Sequence, residues 1–195
     1  MLKLRKAVAR DVPLILSLVR ELAAYEREAH SVIATETDLR RDGFSKYRRF
    51  RVIIAEWNGR PAGMVLFFHH YSTWHGQAGI FVEDLIVRRG FRGKGVGQAL
   101  MARLGRIAIA EGCYGMRWEV HSWNKEAVRF YRQLGGVFRR HGRVMQIKND
   151  DLFRLAGIKV VPRKVSPTSH GRRSLRVLHQ RGKSSITSRQ RIESD

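Results

Sequence analysis

The chain reads as a mixed α/β (α+β) fold, and three stretches carry that reading. FRVIIAEW (50–57) and AGMVLFFHHY (62–71) flank an Asn58-Gly59 turn, the strongest short hairpin signal a sequence can hold. GIFVEDLIV (79–87), a glycine-rich loop, a helical stripe and MRWEVHSW (116–123) then follow as strand, loop, helix and strand. Antiparallel and parallel pairing therefore meet in one sheet.

Each element has a local reason. LKLRKA (2–7) alternates like a strand, and Asp11 is predicted to cap a helix in which Leu14, Ile15, Leu18, Val19, Leu22 and Ala23 recur at helical spacing. TETDLRRDGF (35–44) predicts a short second helix, opened by Thr35 three residues before Asp38 and ended by Gly43. The third strand, GIFVEDLIV, is central and carries a carboxylate pair, Glu83 and Asp84, that is out of place in a core. Val96, Leu100, Leu104 and Ile107 share a helical stripe ending near Gly112. Asn124 caps a last helix whose Ala127, Val128, Tyr131 and Leu134 are placed on one face, and Gly135 with Gly136 stops it. VFRR (137–140) and RVMQIK (143–148) are expected to supply closing strands.

With 195 residues, 43% of them apolar, the chain suits one domain with a real core plus a tail. The domain is expected over residues 1–157. Residues 158–195 hold ten Lys or Arg against two acids without a sustained period, and are read as a disordered basic tail. Over the whole chain 38 Lys and Arg face 17 Asp and Glu, a net charge of +21 that favours polyanions. No apolar run reaches the roughly eighteen residues of a membrane span, and no signal peptide follows Met1, so a cytoplasmic protein is expected. A single cysteine, Cys113, excludes an internal disulfide and a thiolate metal cluster.

The most specific signal is RGFRGKGVGQAL (89–100), between the central strand and the helix that follows it. Bare backbone at a helix N-terminus, with cations beside it, suits a phosphate. A Walker A loop fails, because Gly97 is followed by Gln98 and Ala99. A dinucleotide fingerprint is closer, with Glu119 spaced for a ribose contact, yet Leu100 stands where its third glycine belongs. His69, His70, His75 and His121 lack the spacing of a zinc site, and no metal is expected.

The third fit is Arg-x-x-Gly-x-Gly, here Arg92, Gly95 and Gly97, followed by Asn-x-x-Ala-x-x-Phe-Tyr from Asn124 to Tyr131. In that order these motifs resemble the GNAT superfamily of N-acetyltransferases. RELAAYERE (20–28), TETDLRRDGF, FFHHYSTW (67–74), EDLIVRRGFRGKGVG and WNKEAVRFYRQLGG look like its diamine (spermidine/spermine) or thialysine N-acetyltransferase branch, over residues 1 to about 157. The resemblance implies a mixed, mostly antiparallel central sheet of about six or seven strands, flanked by about four helices and splayed at the central strand. It also implies acetyl-coenzyme A as cosubstrate, a small-molecule amine as acceptor and a homodimer with its amine pocket near the interface.

Carried onto this chain, the resemblance assigns the cosubstrate to Leu85, Ile86 and Val87, to the loop Arg92, Gly93, Lys94, Gly95, Val96, Gly97 and Gln98, and to Asn124, Ala127 and Tyr131. The amine falls to Tyr25, Glu26, Glu83 and Asp84, with Trp74 and Trp123 as further aromatic faces. An alkylamine is mostly protonated near neutrality, so a base is needed, and Glu83 is the candidate. Its alternative is a structural acid paired with an arginine. Tyr131 is the candidate acid for the departing thiolate, and a core tyrosine is its alternative.

Two departures bear on substrate. Arg139, Arg140 and Arg143 follow the tyrosine helix where polyamines would meet repulsion, which favours a smaller amine such as a lysine analogue. Asn-Lys-Glu replaces the family's Asn-Glu-Pro, and both new residues are good helix formers. A protein N-acetyltransferase and a nucleic-acid-associated protein using its basic tail remain the competing functions.

Overall fold

A computed structural model describes residues 1–139, 144–148 and 150–157. The predicted order is found from β1 to α4: β1 (Leu2–Lys6), α1 (Val12–Tyr25), α2 (Glu36–Phe44), β2 (Arg51–Trp57), β3 (Arg60–Ser72), β4 (Gln77–Val87), α3 (Val96–Ala110), β5 (Met116–Trp118) and α4 (Lys125–Gln133); a short helix the sequence does not predict, α5 (Asp150–Leu155), follows. The strands lie in chain order in one sheet, antiparallel from β1 to β4 and parallel between β4 and β5.

Alternation splits the core into two layers, one on each face. Val52, Ile54, Met64 and Leu66 face α1 and α2, where Val12, Ile15, Leu18 and Leu39 meet them. Ile53, Ala55, Val65 and Phe67 face α3, whose Val96, Leu100 and Leu104 cover that side. Asn58 and Gly59 both take positive φ, 50° and 75°, as a two-residue turn matched to strand twist requires.

Near the amino terminus a three-residue ion-pair network ties β1, β2 and α1 together. Arg5 donates to both oxygens of Asp11 at 2.7 and 2.9 Å and to Glu56 at 2.7 Å. Asp11 is 7% exposed and also accepts the Val8 N–H at 2.8 Å. It therefore does not cap α1 through its side chain, as the sequence predicts, because Arg5 and Val8 already take its oxygens. Thr35 and Asp38 form the expected capping box. Gly43 lies inside α2 instead of ending it: a Cβ there would stand 2.6 Å from the Phe50 ring, so the glycine serves close packing.

Five strands are found where six or seven are predicted. Val137–Arg139 and Val144–Lys148 are not strands, and Val137 and Met145 are 91% and 94% exposed. Without an apolar surface to lie on, β-propensity alone does not make a strand. Arg140 and Arg143, and the tail from residue 158, lie outside the described residues. MRWEVHSW is strand only over Met116–Trp118, since β5 pairs with β4 at Ile80–Val82 and nowhere else. Val128 does not share the inward face of Ala127 and Tyr131, and lies on the other side of α4. No helix among the described residues is long and apolar enough to cross a membrane.

The Arg5 network gives a pH signature. Arg5 holds the Asp11 carboxyl below its usual range, chiefly by hydrogen bonding. Its stabilisation is complete above the unfolded carboxylate pKa and is lost as pH falls through the lower folded value. Asp11→Ala is expected to cost about 2 kcal/mol at neutral pH. In thermal unfolding across pH, the deficit should shrink toward pH 2; a deficit independent of pH would contradict the network's role.

Candidate active site

The site begins with a change of parity in β4. Ile80 and Val82 face α3, but so do Leu85 and Val87, while Ile86 faces α1. An even-to-odd switch along one strand needs an extra residue. Pairing shows it: Leu66 opposes Asp84 and Phe67 opposes Val82, which leaves Glu83 unmatched. This bulge bends β4 away from β5, whose pairing with it stops at Val82 and Trp118. A cleft of about 510 Å³ opens in the gap.

The cleft walls come from α1, β4, the glycine loop with α3, α4, and β5 with the residues after it, Trp118 to His121. Leu22, Tyr25 and Glu26 close one end from α1, and Glu83, Leu85, Ile86 and Val87 line it from β4. Arg92, Gly93, Gly95, Val96, Gly97 and Gln98 contribute the loop and first turn of α3; Asn124, Ala127, Phe130 and Tyr131 contribute α4. Gly93 and Gly95 take φ of 72° and 74°, and Gly95 sits at the N-cap of α3. At Gly97 a Cβ would stand 3.2 Å from the Phe130 ring, so only a hydrogen lets α3 and α4 approach there.

Arg92 donates to the Val87 carbonyl at 3.1 Å. That carbonyl therefore faces away from β3, and strand geometry puts the N–H of Val87, and the polar groups of Leu85 two residues earlier, on the same open edge. The same guanidinium lies 4.8 Å from the centre of the Tyr25 ring. The Tyr25 hydroxyl donates to Asn124 Oδ1 at 3.3 Å, and this oxygen also accepts the Ala127 N–H that starts α4. Asn124 thus caps the helix and ties it to the end of α1.

Charge in the cleft is mostly negative at one end. Glu83 is exposed, and burial of its surroundings with Glu119 nearby raises its proton affinity. Asp84 points to the α1 side, outside the cleft lining, where burial first, then Glu83 and Glu26, push its pKa up to about 6. Tyr131 is pushed up to about 12 by burial and by Glu26, so its phenol keeps its proton near neutrality. Its ring lies 4.9 Å from Trp118, and Gly136 packs against the Trp118 ring and the Tyr131 backbone, with its N–H on the Tyr131 carbonyl at 2.9 Å.

Most of the sequence-predicted residues converge here, with three placed elsewhere. Lys94 turns its ammonium toward the rings of Trp57 and Phe91, 5.6 and 5.7 Å away. Trp74 is 94% exposed on the β3–β4 hairpin, and Asp84 lies behind β4. Trp123 stacks on His121, whose ring reaches Glu26 at 3.7 Å. His69 binds Glu111, and His70 and His75 pack on Tyr114. Among the described residues, no group of three His, Cys, Asp or Glu could hold a metal ion. Sequence reasoning missed Trp118, Phe130 and the cleft role of Glu119 and His121. Phe130, three residues after Ala127, was legible from helical spacing; the others depend on where β5 leaves β4.

A model of the acetyltransferase (GNAT) family matches residues 16–136. Thialysine N-epsilon-acetyltransferase of Sus scrofa is 38% identical over 140 residues, 68% of this chain and 82% of the relative. L-ornithine N5-acetyltransferase of Arabidopsis thaliana is 25% identical over 195 residues, 77% of this chain and 86% of the relative. Among solved structures, an acetyltransferase of Trypanosoma brucei is 26% identical with a TM-score of 0.56, covering 76% of this chain and 100% of that one. An integron cassette protein from the V. cholerae mobile metagenome gives a TM-score of 0.67 at 24% identity, covering 80% and 97%, and shows likeness of fold.

The half-buried acid is testable on its own. With its folded pKa above the unfolded value, Asp84 lowers stability as pH rises from the ordinary carboxylate range to about 6, and the loss is complete above that. Asp84→Asn is expected to stabilise the protein by about 2 kcal/mol at pH 8 relative to parent, with the gain fading by pH 4. Denaturant titration checks it; an equal or larger gain at pH 4 would contradict the environment described.

Proposed function

The chain belongs to the acetyltransferase (GNAT) family and is an acyltransferase, and we propose that it moves an acetyl group from acetyl-coenzyme A to a primary amine of a small molecule. The observation that carries this reading is one cleft lined both by an anion-suited loop and by the carboxylates Glu26, Glu83 and Glu119. The names of the relatives favour a lysine analogue or diamine as acceptor.

Gly93, Gly95 and the α3 N-terminus suit the two linked phosphates of coenzyme A, with N–H groups and the positive end of the helix dipole aimed at them. Arg92, beside the loop, adds charge. The open edge at Leu85 and Val87 suits the amide-bearing arm, pairing with it as another strand would.

Glu83 stands at the bulge with raised proton affinity, poised to take a proton from the incoming ammonium directly or through water. The free amine then attacks the thioester carbonyl, and the charge growing on its oxygen meets an amide of the open strand edge. Collapse breaks the carbon–sulfur bond, and the Tyr131 phenol gives its proton to the leaving sulfur. Glu26, which also lines the cleft, suits the second positive charge of the acceptor, with Tyr25 beside it holding Arg92 against its ring. Transfer is direct: Cys113 lies outside the cleft lining, and burial with Glu111 nearby raises its thiol pKa, disfavouring the thiolate an acetyl-enzyme needs. The reading takes the protein as a cytoplasmic homodimer with residues 1–157 as the transferase domain.

A thiol-release screen with acetyl-coenzyme A over lysine analogues, ornithine, diamines, polyamines and basic peptides tests the assignment. Turnover with a small amine is expected; turnover confined to peptides would move the chain to protein acetylation. Tyr131→Phe should lower kcat by about a hundredfold or more while coenzyme A still binds. Cys113→Ala should leave the rate unchanged. The reverse pattern would overturn direct transfer.

A further inference from the structure

Helix α4 carries two interleaved stripes. Ala127, Phe130 and Tyr131 turn into the transfer cleft, whereas Lys125, Val128, Arg129 and Arg132, spaced i, i+3, i+4 and i+7, line a second, open groove of about 730 Å³ on its other side. Val120, Ser122 and Phe138 also line it. Arg132 lies 5.6 Å from the centre of the Phe138 ring, which is 58% exposed.

The cations share one helix face. Some arginines of this surface find acids, as Arg88 does with Glu21, Arg51 with Glu111 and Arg41 with Asp42, but these three cations stand together without one. Among the described residues, Lys125, Arg129 and Arg132 have no carboxylate within ion-pair distance and no acid lines the groove. Like charges three and four residues apart repel along a helix, so clustering them without partners is unfavourable unless an anion joins them. Seven residues of helix span about 10 Å, enough to meet more than one phosphate of a strand.

An anionic occupant that carries flat rings uses both features of the groove. Val120 and Val128 offer apolar surface, and Phe138 presents an aromatic ring with the Arg132 guanidinium 5.6 Å from its centre, a combination that suits an unpaired base. An acidic peptide would use the cations and leave the ring idle. The chain's own end does not fit either, since residues 158–195 carry ten Lys or Arg and two acids. We propose that this face of α4 binds single-stranded nucleic acid, with phosphates on Lys125, Arg129 and Arg132 and a base on Phe138, beside the acetyl-transfer cleft, with which the groove shares Val120 and Gln133.

Fluorescence anisotropy with the full chain and a short labelled oligouridine, with heparin and polyglutamate as competitors, tests this across salt concentrations. Substituting Lys125, Arg129 and Arg132 together by serine should reduce the slope of log affinity against log salt by about 2. Phe138→Ala should weaken oligouridine about tenfold and leave heparin unchanged. Thiol release by both variants should match the parent, because none of these residues belongs to the transfer machinery. Parental oligouridine binding by both variants would overturn the proposal, as would polyglutamate binding that depends on the cations when oligouridine binding does not. Ultraviolet crosslinking of oligouridine to the parent chain needs no variant: adducts at α4 and Phe138 support the site, and adducts confined to residues 158–195 refute it.

Discussion

One unmatched residue, Glu83, sets the geometry of the whole site. By inserting into β4 opposite the step from Leu66 to Phe67, it reverses which side chains face α3 and turns the strand out of line with β5. The consequences are mechanical. Leu85 and Val87 gain a free backbone edge, the gap becomes a cleft, and Glu83 itself is lifted from the pleat to the cleft mouth. A regular strand would have paired with β5 throughout and left no room for a ligand.

The rest of the fold holds that gap open. Two apolar layers fix the sheet from both faces, and the Arg5, Asp11 and Glu56 network secures its far edge. Arg88, just past β4, pairs with Glu21 at 2.6 Å and so pins the end of the bent strand to α1. Tyr25 then reaches Asn124, and the end of α1 meets the start of α4 across the cleft. Gly97 and Gly136 let α4 settle against α3 and Trp118, which sets Tyr131 at a fixed depth. Burial at that depth keeps its phenol protonated, and the same low polarity raises the proton affinity of Glu83 and Asp84.

Local chemistry was legible in the sequence, and pairing between distant segments was not. The Asn58-Gly59 turn, the Thr35 capping box, the glycine loop and the Asn124 cap each depend on a few adjacent residues, and all four are found. The bulge depends on the register of β4 against β3, which no spacing within β4 reveals. The same limit explains Asp84, placed beside Glu83 by sequence yet behind the strand in space, and Lys94, drawn from the loop to Trp57. Val137 and Val144 look like strand residues, but both are mostly exposed and neither pairs with a strand among the described residues. Asp11 looked like a cap because Arg5, its partner, sits on another element.

Amide hydrogen exchange at Leu85 and Val87, measured with and without coenzyme A, addresses the open edge most directly. If the gap opened by Glu83 receives the ligand's amide-bearing arm, both amides should exchange more slowly in the complex while Ile86, already turned toward β3, changes little. Binding confirmed by calorimetry with no slowing at either amide would contradict the account.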